Sequence, residues 1–213
     1  MSYNSPLINP GSHVTRVANL TNEAITIDKG VAQATRDAAE FASKYSSDFR
    51  LVEDLKTSTQ QFSDRWVGAL QQTRDAASSL SGWYQRFDKV FLPLINDISS
   101  QGDAQDVVSE FNSLKNEAYP TSKYHLDDAP GAKSAFNAIE QLVSTESDHV
   151  IQVLQGGGNW KDNVAVSTLL PYTLERDGRL NDPFQKLNQN LSAVQNGVNQ
   201  IRGALNTYAT KLE

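Results

Sequence analysis

The chain contains no cysteine, and this absence removes several kinds of site at once. Disulfide bonds, thiolate metal ligands and cysteine nucleophiles are all excluded, and this usage fits a reducing compartment. Histidine is also scarce, with three residues in a chain of 213, so few imidazole ligands are present for a metal site. The sequence therefore favours a function that depends on helical surfaces.

Basic clusters and long apolar runs are missing as well. A protein that binds the phosphate backbone of nucleic acid needs a basic stripe, whereas lysine and arginine are scattered here and the formal net charge is -6, so we expect no nucleic-acid partner. Residues 1–11 hold no apolar core of a signal peptide, and no stretch has the roughly 20 apolar residues of a membrane-spanning helix. We expect a soluble, cytoplasmic protein, and secretion by a route without a signal peptide stays open.

Heptad patterns dominate what is present, and the last of them is the clearest. Apolar residues recur there at alternating steps of three and four, as along one face of a packed helix. They are Phe184, Leu187, Leu191, Val194, Val198, Ile201, Leu205, Tyr208 and Leu212. Asp182 and Pro183 suit the cap and the first position of this helix. Its flanks are small or neutral, Gly197 and Ala204 among them, so neighbouring elements can approach from several sides.

Two longer heptad stripes precede this one. The first predicts a helix over residues 13–46. Its stripe is Val17, Leu20, Ala24, Ile27, Val31, Ala34, Ala38, Phe41 and Tyr45. The second predicts the longest helix, residues 48–99, which Pro93 kinks and Ser81-Gly82 can bend. Its stripe is Phe49, Val52, Leu55, Thr59, Phe62, Trp66, Ala69, Thr73, Ala76, Leu80, Trp83, Phe87, Val90 and Leu94.

A helix of this length needs neighbours along all of it, so we expect the stripe of the second helix to be covered. The threonines on the second stripe, Thr59 and Thr73, are expected to bond back to carbonyls of their own helix. A third, shorter helix is capped near residues 101–103 and stops before Pro120. A fourth begins at Pro130 or Gly131 and ends at three consecutive glycines.

These elements predict an all-α fold, an elongated antiparallel helical bundle of about five helices, several of them long and coiled-coil-like. We expect a single domain over residues 13–213 behind a flexible segment, residues 1–12. Helices one, two and five form the main rod, and helices three and four lie against the far half of helix two. The main loops are residues 119–131 and 156–181, and a short helix is expected near residues 161–169.

One spacing in the chain suggests metal chemistry. Glu146 and His149 form an E-x-x-H pair on helix four, the pair that di-iron bundles project inward. Such a site needs a second E-x-x-H, and neither His13 nor His125 has a glutamate three residues before it. We therefore expect no metal and no cofactor, and we interpret Glu146 as a buried residue that pairs across helices. Because no catalytic fingerprint occurs, the sequence predicts a non-enzymatic protein without catalytic residues.

The candidate surface combines the most aromatic stretch, residues 83–98, with an apolar loop, residues 164–174. Both contain a Leu-Pro pair beside aromatic residues. Seven side chains are candidates for contact with a partner or a membrane: Trp83, Tyr84, Phe87, Phe91, Leu92, Leu170 and Tyr172. In the other interpretation, which stays open, the two segments pack against each other and close one end of the bundle.

These patterns favour a binding or assembly protein that acts through its helical surface on a protein partner or on a second copy of itself. In outline, the long amphipathic helices resemble the rod-like bundles of α-helical pore-forming toxins and of many scaffold proteins. The first resemblance implies an alternative function, a membrane-active or lipid-binding bundle that uses the aromatic end and the apolar loop. Neither segment is long enough to span a bilayer, so insertion would require the longer helices to rearrange.

Overall fold

The computed structural model describes residues 5–47, 51–156 and 183–212. Within these ranges the fold is all-α, and the prediction of a bundle of about five helices, with long helices packed on one another, is confirmed. The helices are α1 (Gly11–Tyr45), α2 (Leu51–Arg86), α3 (Leu92–Asn96), α4 (Gln101–Asn116), α5 (Pro130–Gln155) and α6 (Pro183–Lys211). Short 3-10 turns occupy Pro6–Ile8 and Pro120–Lys123. The helix expected near residues 161–169 lies outside the described residues.

Helices α1, α2 and α6 pack on one another and form the rod that the heptad stripes predict. The stripe of α6 supplies much of its core, with Val198 and Leu205 fully buried. Helix α5 packs against all three. Helix α4 packs chiefly on α5 and also contacts the far end of the predicted second helix, through α3 and the rings of Phe87 and Phe91, so the placement expected for it is met in part. The apolar stripe of α4 faces α5, and Phe111 on this stripe also meets the rings at the end of the long helix.

The long second helix continues into α3 through a π-helical turn, Phe87–Phe91. In this turn the amide of Leu92 donates to the carbonyl of Phe87, one residue further back than in an α-helix. Pro93 accounts for the position, because proline lacks an amide and crowds the carbonyl four residues before it. The chain stays α-helical through Gly82, so the irregularity lies immediately before the proline and not at the second site that the sequence suggested.

The N-terminal residues, expected to be flexible, pack on the bundle from Ser5 onward. Ser5 accepts a hydrogen bond from the amide of Leu7 at 3.1 Å, and the Leu7 side chain is fully buried. This turn lies against α6 at Gly197, where an added Cβ would sit 1.6 Å from the Leu7 carbonyl oxygen. A neighbouring backbone therefore requires glycine at this position.

The start of α4 differs in detail from the cap predicted at residues 101–103. Ser100 is the cap, because its hydroxyl accepts a hydrogen bond from the amide of Asp103 at 3.1 Å. The Asp103 carboxylate accepts in return from the amide and hydroxyl of Ser99. Those hydrogen bonds hold the pKa of Asp103 below its usual value.

Candidate interaction surface

The structure places the aromatic stretch that the sequence singled out inside the bundle. Phe87, Phe91 and Leu92 are buried. The ring of Phe111 on α4 meets Phe91 edge-on with centroids 5.7 Å apart, and Phe87 likewise at 6.2 Å. These aromatic pairs fix α4 against the end of the long helix. In this arrangement the three side chains are core residues, and a partner reaches them only if this end opens.

The other candidates divide into an interior tyrosine, a partly buried tryptophan and two undescribed residues. Tyr84 is fully buried, and its hydroxyl donates to the carbonyl of Ile139 on α5 at 2.8 Å. Trp83 is partly buried and packs against the core. Leu170 and Tyr172 lie outside the described residues, so the proposed packing of the two Leu-Pro segments stays a prediction.

A buried carboxylate lies close to Tyr84 and anchors the loop between α4 and α5. Glu140 accepts two hydrogen bonds from Thr121, at 3.0 Å from its amide and 2.8 Å from its hydroxyl. Burial raises the pKa of Glu140, although both hydrogen bonds oppose the rise. Burial, with a smaller contribution from Glu140, also raises the pKa of Tyr84. These contacts are satisfied within the fold, so they favour a structural role.

The described residues offer little for metal chemistry or for membrane spanning. Glu146 is fully buried on α5 and His149 is partly buried. Within residues 5–47, 51–156 and 183–212, no three His, Asp or Glu side chains are grouped to hold a metal ion. None of the helices in those ranges combines the length and the apolar character needed to cross a membrane.

Of the seven exposed large apolar side chains among the described residues, six lie on the hairpin that α1 and α2 form. There Leu212 lines one pocket together with Ile25 of α1 and Val67 of α2. Beyond this level residues 30–45 and 51–65 extend as a pair of helices. The structure places no third described helix beside this pair, which is why large apolar side chains on it stay exposed.

Small residues hold the hairpin together. At its base the indole Nε1 of Trp66 donates to Asp28 Oδ1 at 3.1 Å, which sets the register of the two helices. The buried residues of the seam beyond it are Val31, Ala38, Ala42 and Val52. Because valine and alanine fill the seam, the two backbones approach closely and the larger apolar residues are left outside it.

A line of residues seven apart runs along each helix, covered at the base and exposed toward the tip. On α1 it starts at Leu20, which packs against Gly131 at the start of α5. On α2 it starts at buried Ala76 and Ala69. The exposed continuation, which we call the hairpin face, consists of Ile27, Ala34 and Phe41 on α1 with Leu55 and Phe62 on α2. Its four large side chains are between 45% and 55% exposed.

Both lines border one groove, which the start of α5 closes at the base. Ile27, Ala69 and Gly131 line a cleft of about 200 Å³ there. Phe62, Ala69 and Asp128 line a smaller one of about 70 Å³. The shared residue Ala69 shows that Ile27 and Phe62 lie on the same side of the hairpin. Ala34, Phe41 and Leu55 continue the same two lines of residues toward the tip, where they are exposed.

Charges beside the hairpin face differ between its two ends. At the tip Lys44 lies 5.3 Å from the ring centroid of Tyr45, which in turn contacts Phe41 at 4.8 Å. At the base Glu23 lines the cleft, and Asp128, which also lines it, is paired with Arg65. On α1, Lys44 therefore flanks the tip of the hairpin face and Glu23 flanks its base.

The heptad stripes include every residue of the hairpin face, and the second helix, with Leu55 and Phe62, was expected to have neighbours along its whole length. That expectation is wrong for the described structure beyond the end of α6. A stripe records that a helix has an apolar side but not which element covers it. The usable signal is length, because α6 has 29 residues and cannot cover helices of 35 and 36 residues along their whole extent.

No protein-family model matches this chain, and no curated protein matches it either. Within the described residues, the surface that favours an interaction is the hairpin face.

Proposed function

We propose that this protein is a non-enzymatic helical bundle that binds a protein partner through the hairpin face. The observation that carries the proposal is the separation of small and large apolar residues on the hairpin. Small residues fill its seam, whereas Phe41, Leu55 and Phe62 point away from the seam and are about half exposed. A contiguous apolar patch with a polar rim marks an interaction site more often than a free surface.

The energetics support a helical partner. Full burial of one leucine or phenylalanine side chain is worth about 1.5–3 kcal/mol. In the free hairpin, four large side chains are only partly buried and gain only part of this free energy. A partner helix packed between the two lines would bury them further. Apolar anchors at helical spacing along a groove between two helices are the arrangement that amphipathic helices recognise.

The membrane-active alternative has weaker support from the described residues. Its aromatic end is packed around Phe111, so contact with lipid needs that end to open first. On α1 the hairpin face is flanked by Lys44 at one end and by Glu23 at the other, and these two charges together give no net attraction to an anionic bilayer. A lipid surface is therefore a competing outcome of the same experiment.

A photo-cross-linking amino acid at position 62 tests the proposal in cells that express the protein. The matched control places the same group at exposed Gln85, near the other end of α2. We expect a protein adduct from position 62 and little or none from position 85. Absence of any protein adduct from position 62, or equal adducts from both positions, would contradict the proposal.

Vesicles provide the second arm of this test. The purified protein with the probe at position 62 is irradiated with phosphatidylcholine vesicles and with vesicles that also contain phosphatidylserine. We expect no labelled lipid from either preparation. Labelled lipid together with no protein adduct would favour the membrane-active alternative instead.

A further inference from the structure

We propose that the partner of the hairpin face is a second copy of this chain. The two hairpins would dock antiparallel and form a four-helix bundle around a two-fold axis near Ala34. This inference rests on the proposed function, because it names the partner for the same surface. Three features of the hairpin face carry it: the spacing of its large residues, the small residue at its centre, and its charge pattern.

The spacing is self-complementary. Ile27 and Phe41 each lie seven residues from Ala34 on the same line of α1. When α1 packs antiparallel on its symmetry mate around Ala34, Phe41 of each copy lies over Ile27 of the other. The same rotation brings Leu55 close to Phe62 of the partner's α2. A two-fold interface requires this reciprocity, in which residue i contacts residue j and residue j contacts residue i.

The centre of the face permits close approach. Ala34 is exposed and has the smallest side chain of the face. Packed helices have axes about 8–10 Å apart, and small residues at the crossing allow the lower end of that range. The larger side chains on either side then fill the space between the helices. A bulky residue at the centre would instead hold the copies apart.

The charges also favour an antiparallel second copy. Rotation about Ala34 places the tip of one hairpin over the base of the other. Lys44 then approaches Glu23 of the opposing copy. A parallel arrangement would instead place Lys44 near Lys44 and Glu23 near Glu23, which is unfavourable.

The size of the face indicates a reversible dimer. It extends over about 14 residues, or about 21 Å along the helices, and it is two helices, about 20 Å, wide. Each copy would therefore bury on the order of 400 Å², or about 800 Å² in total, which is below the roughly 1,200–2,000 Å² of stable interfaces and in the range of weak, transient ones. We expect dimers that form and dissociate with protein concentration.

Sedimentation velocity of the full chain over a range of concentrations tests self-association. We expect monomer at low concentration and dimer at high concentration. The Phe41→Ser variant should raise the dissociation constant by about tenfold or more, because the dimer buries this side chain twice. Val90→Ser is the matched control, since Val90 is 51% exposed but lies on the π-helical turn, away from the hairpin. It should leave the dissociation constant unchanged.

Charge exchange tests the antiparallel direction. Lys44→Glu and Glu23→Lys should each weaken the dimer, whereas the double variant should recover most of the loss, because the two charges meet between copies. Recovery is a result that loss of folding cannot produce. If the double variant is as weak as the two single variants combined, the antiparallel arrangement is wrong.

Introduced cysteines test the position of the axis, and the native chain has none to interfere. Under mild oxidation Ala34→Cys should form a disulfide-linked dimer, since its copies meet at the axis. Ala39→Cys is the matched control, because it is also exposed but lies on the far side of α1. It should remain largely monomeric, and preferential linkage through position 39 would overturn the geometry.

The outcomes separate this inference from the proposed function. A protein that stays monomeric throughout, with no linkage at position 34, rules out the second copy. If the probe at position 62 then captures a different protein, the proposed function stands without this inference. If it captures none, both fail. A dimer that Phe41→Ser does not weaken would show that copies associate through another surface.

Discussion

Tyr208 donates a hydrogen bond from its phenol to Thr73 Oγ1 across 2.9 Å, and this contact ties the last helix to the longest one. Thr73 in turn donates to the carbonyl of Leu70 in its own helix at 2.8 Å. Thr59 does the same toward Leu55, so the prediction that both stripe threonines bond back to their own helix is confirmed. The buried pair of Tyr208 and Thr73 also lies near the level at which α6 stops covering the hairpin.

The first prediction concerns this contact. Tyr208→Phe should reduce the free energy of unfolding by about 0.5–1.5 kcal/mol, because one buried hydrogen bond is lost while the ring stays packed. Tyr208→Ala should cost about 3–5 kcal/mol, because it also leaves a cavity beside Phe136. Urea unfolding followed by circular dichroism measures both. Equal losses in the two variants would show that the ring contributes nothing beyond its hydroxyl.

A second prediction tests whether α6 is central to the rod. Ile201 is 1% exposed, so Ile201→Asp places a carboxylate in the core and should cost more than about 3 kcal/mol. Asn199→Asp is the control, because it introduces the same group at an exposed position of the same helix. Chemical denaturation of both variants gives the comparison. An unchanged midpoint for Ile201→Asp would mean that α6 is peripheral.

A third prediction follows from the close approach at Gly197. Gly197→Ala should displace the N-terminal turn and expose Leu7, because an added Cβ cannot share space with that carbonyl. At Gly203 an added Cβ meets no atom within 4 Å, so Gly203→Ala should stabilise the helix by up to about 1 kcal/mol. Thermal unfolding and proteolysis of the N-terminus measure the two effects. Stabilisation by both alanines would contradict the described packing of Leu7.

A fourth prediction is the pH dependence contributed by Glu140. Its pKa is raised in the fold, so the folded state binds the proton more tightly than the unfolded state does. Its contribution to stability is therefore present in acid and is lost as pH rises from 4.5 through the folded pKa. Tyr84 is the titratable neighbour that faces it from α2.

Glu140→Gln isolates this contribution. Glutamine keeps a carbonyl oxygen for Thr121 but carries no charge, so the variant should gain stability relative to the native chain as pH rises through that window. Urea unfolding at a series of pH values measures the difference, with exposed Glu110→Gln as the control. If the variant instead loses stability relative to the native chain as pH rises, the folded protein stabilises the ionised form of the Glu140 carboxylate.

Periodicity predicts the helices of this fold because each is long and amphipathic, and their bounds agree with the stripes to within a few residues for α1 and α6. The packing of α4 and the burial of Leu7 were not predictable in the same way. Both depend on contacts between elements far apart in sequence, such as Leu7 against Gly197. The small residues that flank α6 are visible in the sequence, but nothing in the stripe identifies which neighbouring element packs against them.

The candidate surface shows the same limit more sharply. An aromatic-rich stretch is as consistent with a core as with a surface, and the rings of Phe87 and Phe91 are in the core because Phe111 meets them. Phe41 and Phe62, which the stripes assigned to the core, are exposed because α6 ends before their level. Heptad position alone cannot distinguish these cases, whereas the relative lengths of the three helices can.

The most direct test of the hairpin face as a binding surface combines one probe with one double variant. A photo-cross-linking group replaces Leu55, and the yield of protein adduct is compared between the native background and Phe41→Ser with Phe62→Ser. We predict that the adduct falls by about tenfold or more while the free energy of unfolding changes by less than about 1 kcal/mol, because exposed residues are removed. An unchanged adduct, or a large loss of stability, would contradict the account.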